Sequence, residues 1–542
     1  MSPDPEMVVA DPMAAAADRY RVPGKPLNLA EAFLGRLVKE GRGEHPAVVA
    51  DRPDGTVATL TYRELDAAAS RFGALLKERG VRKEERVLIV LEDDLAWPIA
   101  FFGAQRIGAV TAFVNPALGD VELSFHLADT GARALVTRTE IAARISNPPP
   151  DVAFVCVDDT ETEARLAALS DTLEPAATTE EDFAIWLYTS GSTGAPKAAV
   201  HRAKDFVFNT ERYPKTVLEM NADDVTVSVP KLFFGYATGA NLLFTLYFGG
   251  TAVLFPDKPT PERLIGLVER HRATLMVNVP TMIARIGTYL SERDTPPDLS
   301  SLRLATSAGE ALPPQLYQRW VEATGVEVLD GIGSAEMFHV YVSARKGEVV
   351  SGSLGKLVEG YEVRIVDPEG KDVPDGEVGR MVVGGGSSAA FYWGRAEESR
   401  EVLQGYWVRT SDLVRRDAEG LYWYQGRANE TLKIAGRWVQ PQEVEACLTE
   451  DPAVAEAALA VYAREGLNKP MAFVVLAPGA SASEALFERL RRKVADELGT
   501  YKSPRFVEAV DSLPRGDRDK LDRPALDAAA AAAAAARFGA ES

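Results

Sequence analysis

A chain of 542 residues is longer than one hydrophobic core usually supports, and 46% hydrophobic with 26% charged residues is ordinary globular composition, so at least two domains are expected. A formal net charge of −19 argues against general affinity for nucleic acid or an anionic membrane, so any site for a phosphorylated ligand must gather its positive charge locally. Two cysteines, Cys156 and Cys447, supply neither a disulfide framework nor zinc-finger spacing.

Residues 1–27 read as a disordered segment. Met1–Ala17 carries Asp4, Glu6 and Asp11 without a basic stretch, unlike a signal peptide, and no apolar run reaches the ~18 residues of a membrane span, so cytoplasmic residence is expected. Asn28 with Glu31 is a capping pattern for a helix to about Lys39. Thr61 with Glu64 is a second, and Leu65, Ala69, Phe72 and Leu76 continue it at helical spacing until Gly80. The run Glu85–Leu91 predicts a strand, Trp97–Ile107 a helix and Ala109–Val114 another strand, an alternation that implies a parallel sheet with covered faces. Asn147–Pro150 is a break, and the acidic stretch Asp158–Asp182 predicts a surface connection with a helix.

Residues 185–201, Ile-Trp-Leu-Tyr-Thr-Ser-Gly-Ser-Thr-Gly-Ala-Pro-Lys-Ala-Ala-Val-His, join an apolar run to a loop of hydroxyls, glycines and one lysine. Thr189, Ser190, Ser192 and Thr193 offer hydroxyl donors, Gly191 and Gly194 admit backbone N–H groups close to an anion, and Lys197 adds charge. Either a phosphate cradle or a polar surface loop fits this composition. A Walker A loop does not, because Ala195-Pro196 separates Gly194 from Lys197 and Ala198 follows the lysine.

Further strands are expected at 225–229, 251–255, 274–277, 302–307 and 327–329, with helices between, and a strand-rich stretch from about Gly352 to Tyr424. Beyond the polar segment Gly426–Lys433 the pattern predicts a helix near 442–448, strands at 457–461 and 471–476, a helix over 483–498 and a strand at 505–510. Ala528–Ala536 is polyalanine, expected to be a helical or frayed tail.

The ordered string Tyr-Thr-Ser-Gly-Ser-Thr-Gly-x-Pro-Lys at 188–197 resembles the signature of the adenylate-forming superfamily of acyl-CoA ligases, luciferases and nonribosomal adenylation domains. The resemblance runs from about Asn28 to Leu526, with motifs in the family's order. It implies an α/β protein with a large multi-subdomain N-terminal domain of doubly wound sheets and a strand-rich subdomain (28–426). A hinge at Asn429 (427–433), a small mobile α+β domain (434–527) and an alanine-rich tail (528–542) follow.

The resemblance also implies roles for residues. ATP or AMP is expected on Thr189, Ser190, Gly191, Ser192, Thr193, Gly194 and Lys197; on Gly309, Glu310 and Ala311 of Ser307–Pro313; and on Asp330, Gly331 and Ile332 of Asp330–Glu336. Glu336 is the expected Mg²⁺ ligand, a hard oxygen donor that shares the ion with water and substrate phosphates. Gly309, Gly331 and Gly333 are expected to let the backbone lie flat against ligand. Asp412 and Arg427 resemble the ribose-binding pair. Lys520 is the expected catalytic cation of the first half-reaction, and Lys433 and Gly436 line the expected path of coenzyme A.

Lys231–Gly239 and Gly331–Tyr341 most resemble the benzoate-CoA ligase branch. There Tyr236, Ala237, Ile332, Gly333, His339 and Val340 are expected to form a flat slot for one aromatic ring, with His339 beside a ring hydroxyl or amino group. The implied activity is ATP-dependent ligation of an aromatic carboxylic acid to coenzyme A through an aryl-AMP, by a monomer or homodimer. Ala335, Ala198, Asn429 and Asp519 depart from the family pattern. A stand-alone enzyme that loads a carrier-protein thiol and an inactive nucleotide-binding homologue are the alternatives.

Overall fold

The computed structural model describes residues 24–190, 195–428, 432–434, 437–464, 467–515 and 521–538. Contacts within the chain divide it into two compact units, Met1–Val363 with Val383–Arg409, and Arg364–Val382 with Thr410–Ser542.

In the first unit Asn28 serves two helices. Its side-chain oxygen accepts the N–H groups of Ala30 (3.1 Å) and Glu31 (3.3 Å), the expected cap, while its Nδ2 donates to the carbonyl of Gln105 at 3.0 Å. The helix it opens winds partly in π turns, at Glu31–Gly35 and Val38–Arg42. Strands β1 (Pro46–Asp51) and β2 (Val57–Thr61) pair antiparallel. Thr61 then starts α1 (Tyr62–Glu78) with the expected capping box: its side chain accepts the Glu64 N–H, and the Glu64 carboxylate takes the Thr61 N–H at 2.8 Å. α1 packs against α2 (Ala96–Arg106) at Gly73 and Gly103. A Cβ on Gly73 would lie 2.8 Å from the Gly103 carbonyl oxygen, and one on Gly103 2.9 Å from the Phe72 Cβ, so this glycine pair sets the helix separation.

The next strands are β3 (Arg86–Ile89), β4 (Val110–Phe113), β5 (Ala134–Thr137), β6 (Ala153–Cys156), β7 (Phe183–Ser190) and β8 (Pro196–Arg202). They are followed by β9 (Val225–Ser228), β10 (Thr251–Leu254), β11 (Leu275–Asn278), β12 (Leu304–Ser307), β13 (Val328–Gly333), β14 (Val340–Ser343), β15 (Lys356–Leu357) and β16 (Phe391–Tyr392). Among the described residues they form two sheets, ordered β16-β8-β7-β4-β3-β5-β6 and β15-β14-β13-β12-β11-β9-β10-β1-β2. Both are parallel in the middle and antiparallel at edges, as in other α/β sheets covered by helices. The expected strands and helices of this region are therefore present. β8 was not anticipated: the loop lies between two antiparallel strands, because the small Ala198-Ala199-Val200 run is buried in the sheet.

In the second unit, β17 (Trp407–Arg416, within this unit from Thr410) pairs antiparallel with β18 (Tyr422–Arg427). The hairpin β19 (Val454–Arg464) and β20 (Leu467–Leu476) carries β21 (Val507–Ala509) parallel to β20. Helices α3 (Pro441–Thr449) and α4 (Glu484–Leu498) bury Val444, Leu448, Leu486, Leu490 and Val494 in one core with Leu459 and Val474 of the hairpin. The polyalanine segment is no frayed tail. It belongs to α5 (Arg523–Phe538), whose Leu526, Ala530 and Ala534 recur every four residues and are buried in a cluster with Ala458, Ala460, Met471 and Phe473. Among the described residues no helix is long and apolar enough to cross a membrane.

Candidate active site

Thr189 stands opposite Lys197 and Ser190 opposite Pro196 in the antiparallel β7–β8 pair, so the hydroxyl- and glycine-rich segment connects two strands. A phosphate loop of the Walker type runs from strand to helix instead. Gly191, Ser192, Thr193 and Gly194 lie outside the described residues. Lys197 is well covered, with 11% of its side chain exposed; its Nζ lies 3.1 Å from Oε2 of Glu398 and 4.0 Å from the ring centre of Tyr392.

Glu336 lies in a turn between β13 and β14, and both its backbone and its carboxylate are held. The Ala389 N–H donates to the Glu336 carbonyl at 2.8 Å, and the Tyr392 hydroxyl donates to Glu336 Oε1 at 2.6 Å. Burial and the adjacent Glu336 carboxylate push the Tyr392 phenol far above its ordinary range, so it remains a donor. One residue earlier, the Ala335 carbonyl faces Nε2 of His201 at 2.7 Å, and His201 Nδ1 faces Asp205 at 3.0 Å. Ala335 thus contributes its backbone, whatever its side chain. Among the described residues no three His, Cys, Asp or Glu side chains cluster to hold a metal. A half-buried carboxylate with one oxygen taken by a hydroxyl fits Mg²⁺, which takes one or two protein carboxylates and fills its octahedron with water and phosphate oxygens.

Ser307 ends β12 and the turn after it exposes Gly309, Glu310 and Ala311. Gly309 has φ +94°, and a Cβ there would meet open space, so its glycine answers to backbone conformation. Gly331 and Gly333 have a packing reason to be glycine, apart from any ligand. A Cβ on Gly331 would lie 2.8 Å from the Val342 carbonyl oxygen and one on Gly333 2.6 Å from that of His339, so the returning strand β14 excludes side chains at both. Ile332 between them is buried. Asp330 is also buried and takes the Leu312 N–H at 3.3 Å; burial raises its carboxyl to about 7.

The expected aryl residues gather around His339. Its Nε2 donates to the Tyr236 carbonyl at 3.0 Å, the Tyr236 ring lies 5.2 Å from the imidazole, and the backbone of Gly333 abuts His339. Phe244, at 4.6 Å, and Tyr213, at 5.5 Å, complete an aromatic surround. Ala237 and Val340 are buried. Burial lowers the His339 imidazole to about 4, against the hydrogen bond to Tyr236. The ring is therefore neutral, with the proton on Nε2, and its buried Nδ1 has no hydrogen-bond partner among the described residues. The Tyr236 hydroxyl pairs with Thr306 Oγ1 at 2.7 Å. Lys231, at the start of that segment, sets its ammonium against the Phe255 carbonyl and ring; burial lowers it to about 8.

In the second unit, β17 and β18 place Asp412 directly opposite Arg427, and Arg427 Nε lies 3.5 Å from Asp412 Oδ1. Lys433 is in a short strand, Leu432–Ile434. Asn429, Gly436 and Lys520 lie outside the described residues. Sequence reasoning did not single out Tyr392, Glu398, His201 or Asp205.

Two family descriptions match the chain: "AMP-binding enzyme" over residues 37–393 and "AMP-binding enzyme C-terminal domain" over 443–520. The chain is 37% identical to a benzoate–CoA ligase of Thauera aromatica, across 93% of this chain and 96% of that protein. It is 36% identical to a 4-hydroxybenzoate–CoA/benzoate–CoA ligase of Rhodopseudomonas palustris, across 93% and 94%. Among solved structures, an anthranilate CoA ligase in complex with anthranoyl-AMP superposes with a TM-score of 0.86 at 36% identity, covering 96% of this chain and 99% of the other.

Proposed function

Because the chain belongs to the AMP-binding enzyme family, we propose that it is an ATP-dependent aryl-acid:CoA ligase acting on benzoate or a hydroxy- or aminobenzoate such as anthranilate. The carrying observation is that relatives similar along nearly the whole chain are CoA ligases for these acids. The finer choice of acid rests on His339. A buried acceptor nitrogen without a partner suits a ring bearing a hydroxyl or amino donor, and leaving such an acceptor unpaired costs about 1–3 kcal/mol.

In the first half-reaction a carboxylate oxygen forms a bond to the α-phosphorus of ATP, the bond to the β-phosphate oxygen breaks, and pyrophosphate leaves. Lys197 and the hydroxyls of Thr189, Ser190, Ser192 and Thr193 hold the phosphates. Asp412 and Arg427 orient the ribose; Asp330, Gly331, Ile332, Gly309, Glu310 and Ala311 border the nucleotide. Glu336 holds Mg²⁺, which when bound offsets phosphate charge. Lys520 steadies the charge that develops between carboxylate and α-phosphate. Tyr236, Ala237, Gly333, His339 and Val340 hold the aromatic ring flat. In the second half-reaction, rotation about Asn429 withdraws Lys520 and the thiolate of coenzyme A, entering past Lys433 and Gly436, attacks the acyl carbon and expels AMP.

The test is a screen of benzoate, hydroxybenzoates, aminobenzoates, cinnamates and fatty acids with ATP and Mg²⁺, read by product mass. Coenzyme A and a carrier protein are supplied as separate acceptors. Aryl-CoA with AMP and pyrophosphate is the expected outcome. A product formed only on the carrier would replace coenzyme A as acceptor, and no carboxylate-dependent pyrophosphate release would end the ligase reading.

A further inference from the structure

Lys197 on β8 and Glu336 in the turn between β13 and β14 belong to the first unit, and one side chain touches both. Tyr392 belongs to β16, two residues paired antiparallel with β8, with Tyr392 opposite Ala199. Its hydroxyl donates to Glu336 Oε1 at 2.6 Å, and its ring lies 4.0 Å beneath the Lys197 ammonium. Tyr392 is only 2% exposed, and its backbone N–H is fixed by Ser399 Oγ at 2.9 Å. Glu398, at the far side of the same segment, supplies the ammonium with a carboxylate at 3.1 Å.

We propose that Tyr392 is a positioning residue of this enzyme: its hydroxyl fixes the carboxylate of Glu336 for the metal, and its ring fixes the Lys197 ammonium for the phosphates. This rests on the roles given above to Glu336 and Lys197. A glutamate has three side-chain torsions, and a carboxylate free to turn binds a small octahedral ion poorly; a donor on one oxygen leaves the other aimed. Outer hydrogen-bond partners of metal ligands commonly contribute ten- to a hundredfold in affinity or activity. The ring acts differently, since cation and π face attract each other without using the ammonium's N–H donors, which stay available to phosphate oxygens. Glu398 offsets the charge of Lys197 while no phosphate is present.

Two substitutions in the full chain separate these parts. Tyr392→Phe removes the hydroxyl and keeps the ring; Tyr392→Leu removes both. The probe is α,β-methylene-ATP, which cannot be cleaved at the relevant bond, titrated calorimetrically in saturating Mn²⁺ and again in EDTA. The ratio of the two affinities measures the coupling of metal to nucleotide. For Tyr392→Phe that ratio falls about tenfold, with the affinity in EDTA within twofold of the wild type. For Tyr392→Leu the affinity in EDTA also falls, by roughly two- to fivefold for a lost cation–π contact of about 0.5–1 kcal/mol. An unchanged ratio in Tyr392→Phe overturns the proposal, and that variant decides alone because it preserves the buried ring. A wild type that binds the probe in neither condition would instead sink the ligase reading.

Discussion

The imidazole of His201 spans from β8 to the Ala335 carbonyl, 2.7 Å from Nε2, and on its other side faces the Asp205 carboxylate at 3.0 Å. His201 and Asp205 are both fully buried, and Asp205 also takes the Arg202 N–H at 3.0 Å. Strand β8 therefore fixes the backbone next to Glu336, one peptide from the carboxylate.

His201→Ala should destabilise the first unit by about 2–4 kcal/mol, since it leaves a buried carboxylate and a buried carbonyl short of a partner. His201→Gln, which can still donate to Ala335, should lose less. Denaturant unfolding measures the stabilities, and carboxylate-dependent pyrophosphate release at a temperature where both variants are folded reports the displacement of Glu336. Wild-type stability in His201→Ala would show that the dyad holds nothing.

Asp330 predicts a loss of stability as pH rises from about 4 to about 7. Burial raises its folded-state carboxyl to about 7, against 3.8 for the ordinary group. The folded state then holds a proton that the unfolded state has released, so the contribution is present below about 4 and disappears as pH rises through about 7. Asp330→Asn should remove that slope and gain on the wild type between pH 5 and 8, by an amount on the order of 3 kcal/mol at 1.36 kcal/mol per unit. Parallel unfolding free energies of the two proteins over that interval would refute the shift.

The parallel strands of both sheets were legible because they are buried on both faces and read as short apolar runs, and α1 because Thr61 and Glu64 declare its start. The β7–β8 hairpin was not, since Ala198, Ala199 and Val200 carry too little apolar bulk to declare a strand after so polar a loop. Glu336 and Lys197 could be named from local motifs. Their partners could not: Tyr392 lies 56 residues from Glu336 and Glu398 lies 201 from Lys197, and no periodicity spans such separations. The glycines of Asp330–Glu336 stood out as a motif, but one reason for them did not, because a strand pairing back on its predecessor demands small residues as firmly as a ligand does.

Two glycines of the candidate active site should therefore answer differently to one substitution. At Gly333 an added Cβ would lie 2.6 Å from the His339 carbonyl oxygen and 2.9 Å from the Val340 nitrogen, both backbone atoms with no freedom to turn aside. Gly333→Ala should cost about 1–3 kcal/mol and disturb the ring pocket through His339. At Gly309 the Cβ meets nothing, and Gly309→Ala should cost only about 1 kcal/mol for the left-handed backbone at φ +94°. Equal losses of stability in the two variants would contradict this account of β13 and β14.

His339 gives a slope of the opposite sign to that of Asp330. Its folded-state value is lowered by burial to about 4 from 6.5, so between those limits the unfolded chain binds a proton that the folded protein refuses. Stability should fall as pH drops from 6.5 towards 4, by up to about 3 kcal/mol at 1.36 kcal/mol per unit, and the fall should vanish in His339→Leu. The same neutral ring has its Nε2–H committed to Tyr236 and only Nδ1 left to accept. His339→Leu should therefore weaken kcat/KM for a hydroxy- or aminobenzoate about tenfold more than for benzoate, the equivalent of one hydrogen bond of about 1.4 kcal/mol. Above pH 6.5 that preference should not vary with pH in the wild type, because the imidazole never charges there. A preference that titrates near 6.5, or equal losses for substituted and plain benzoate, would take His339 out of the ring-recognition role.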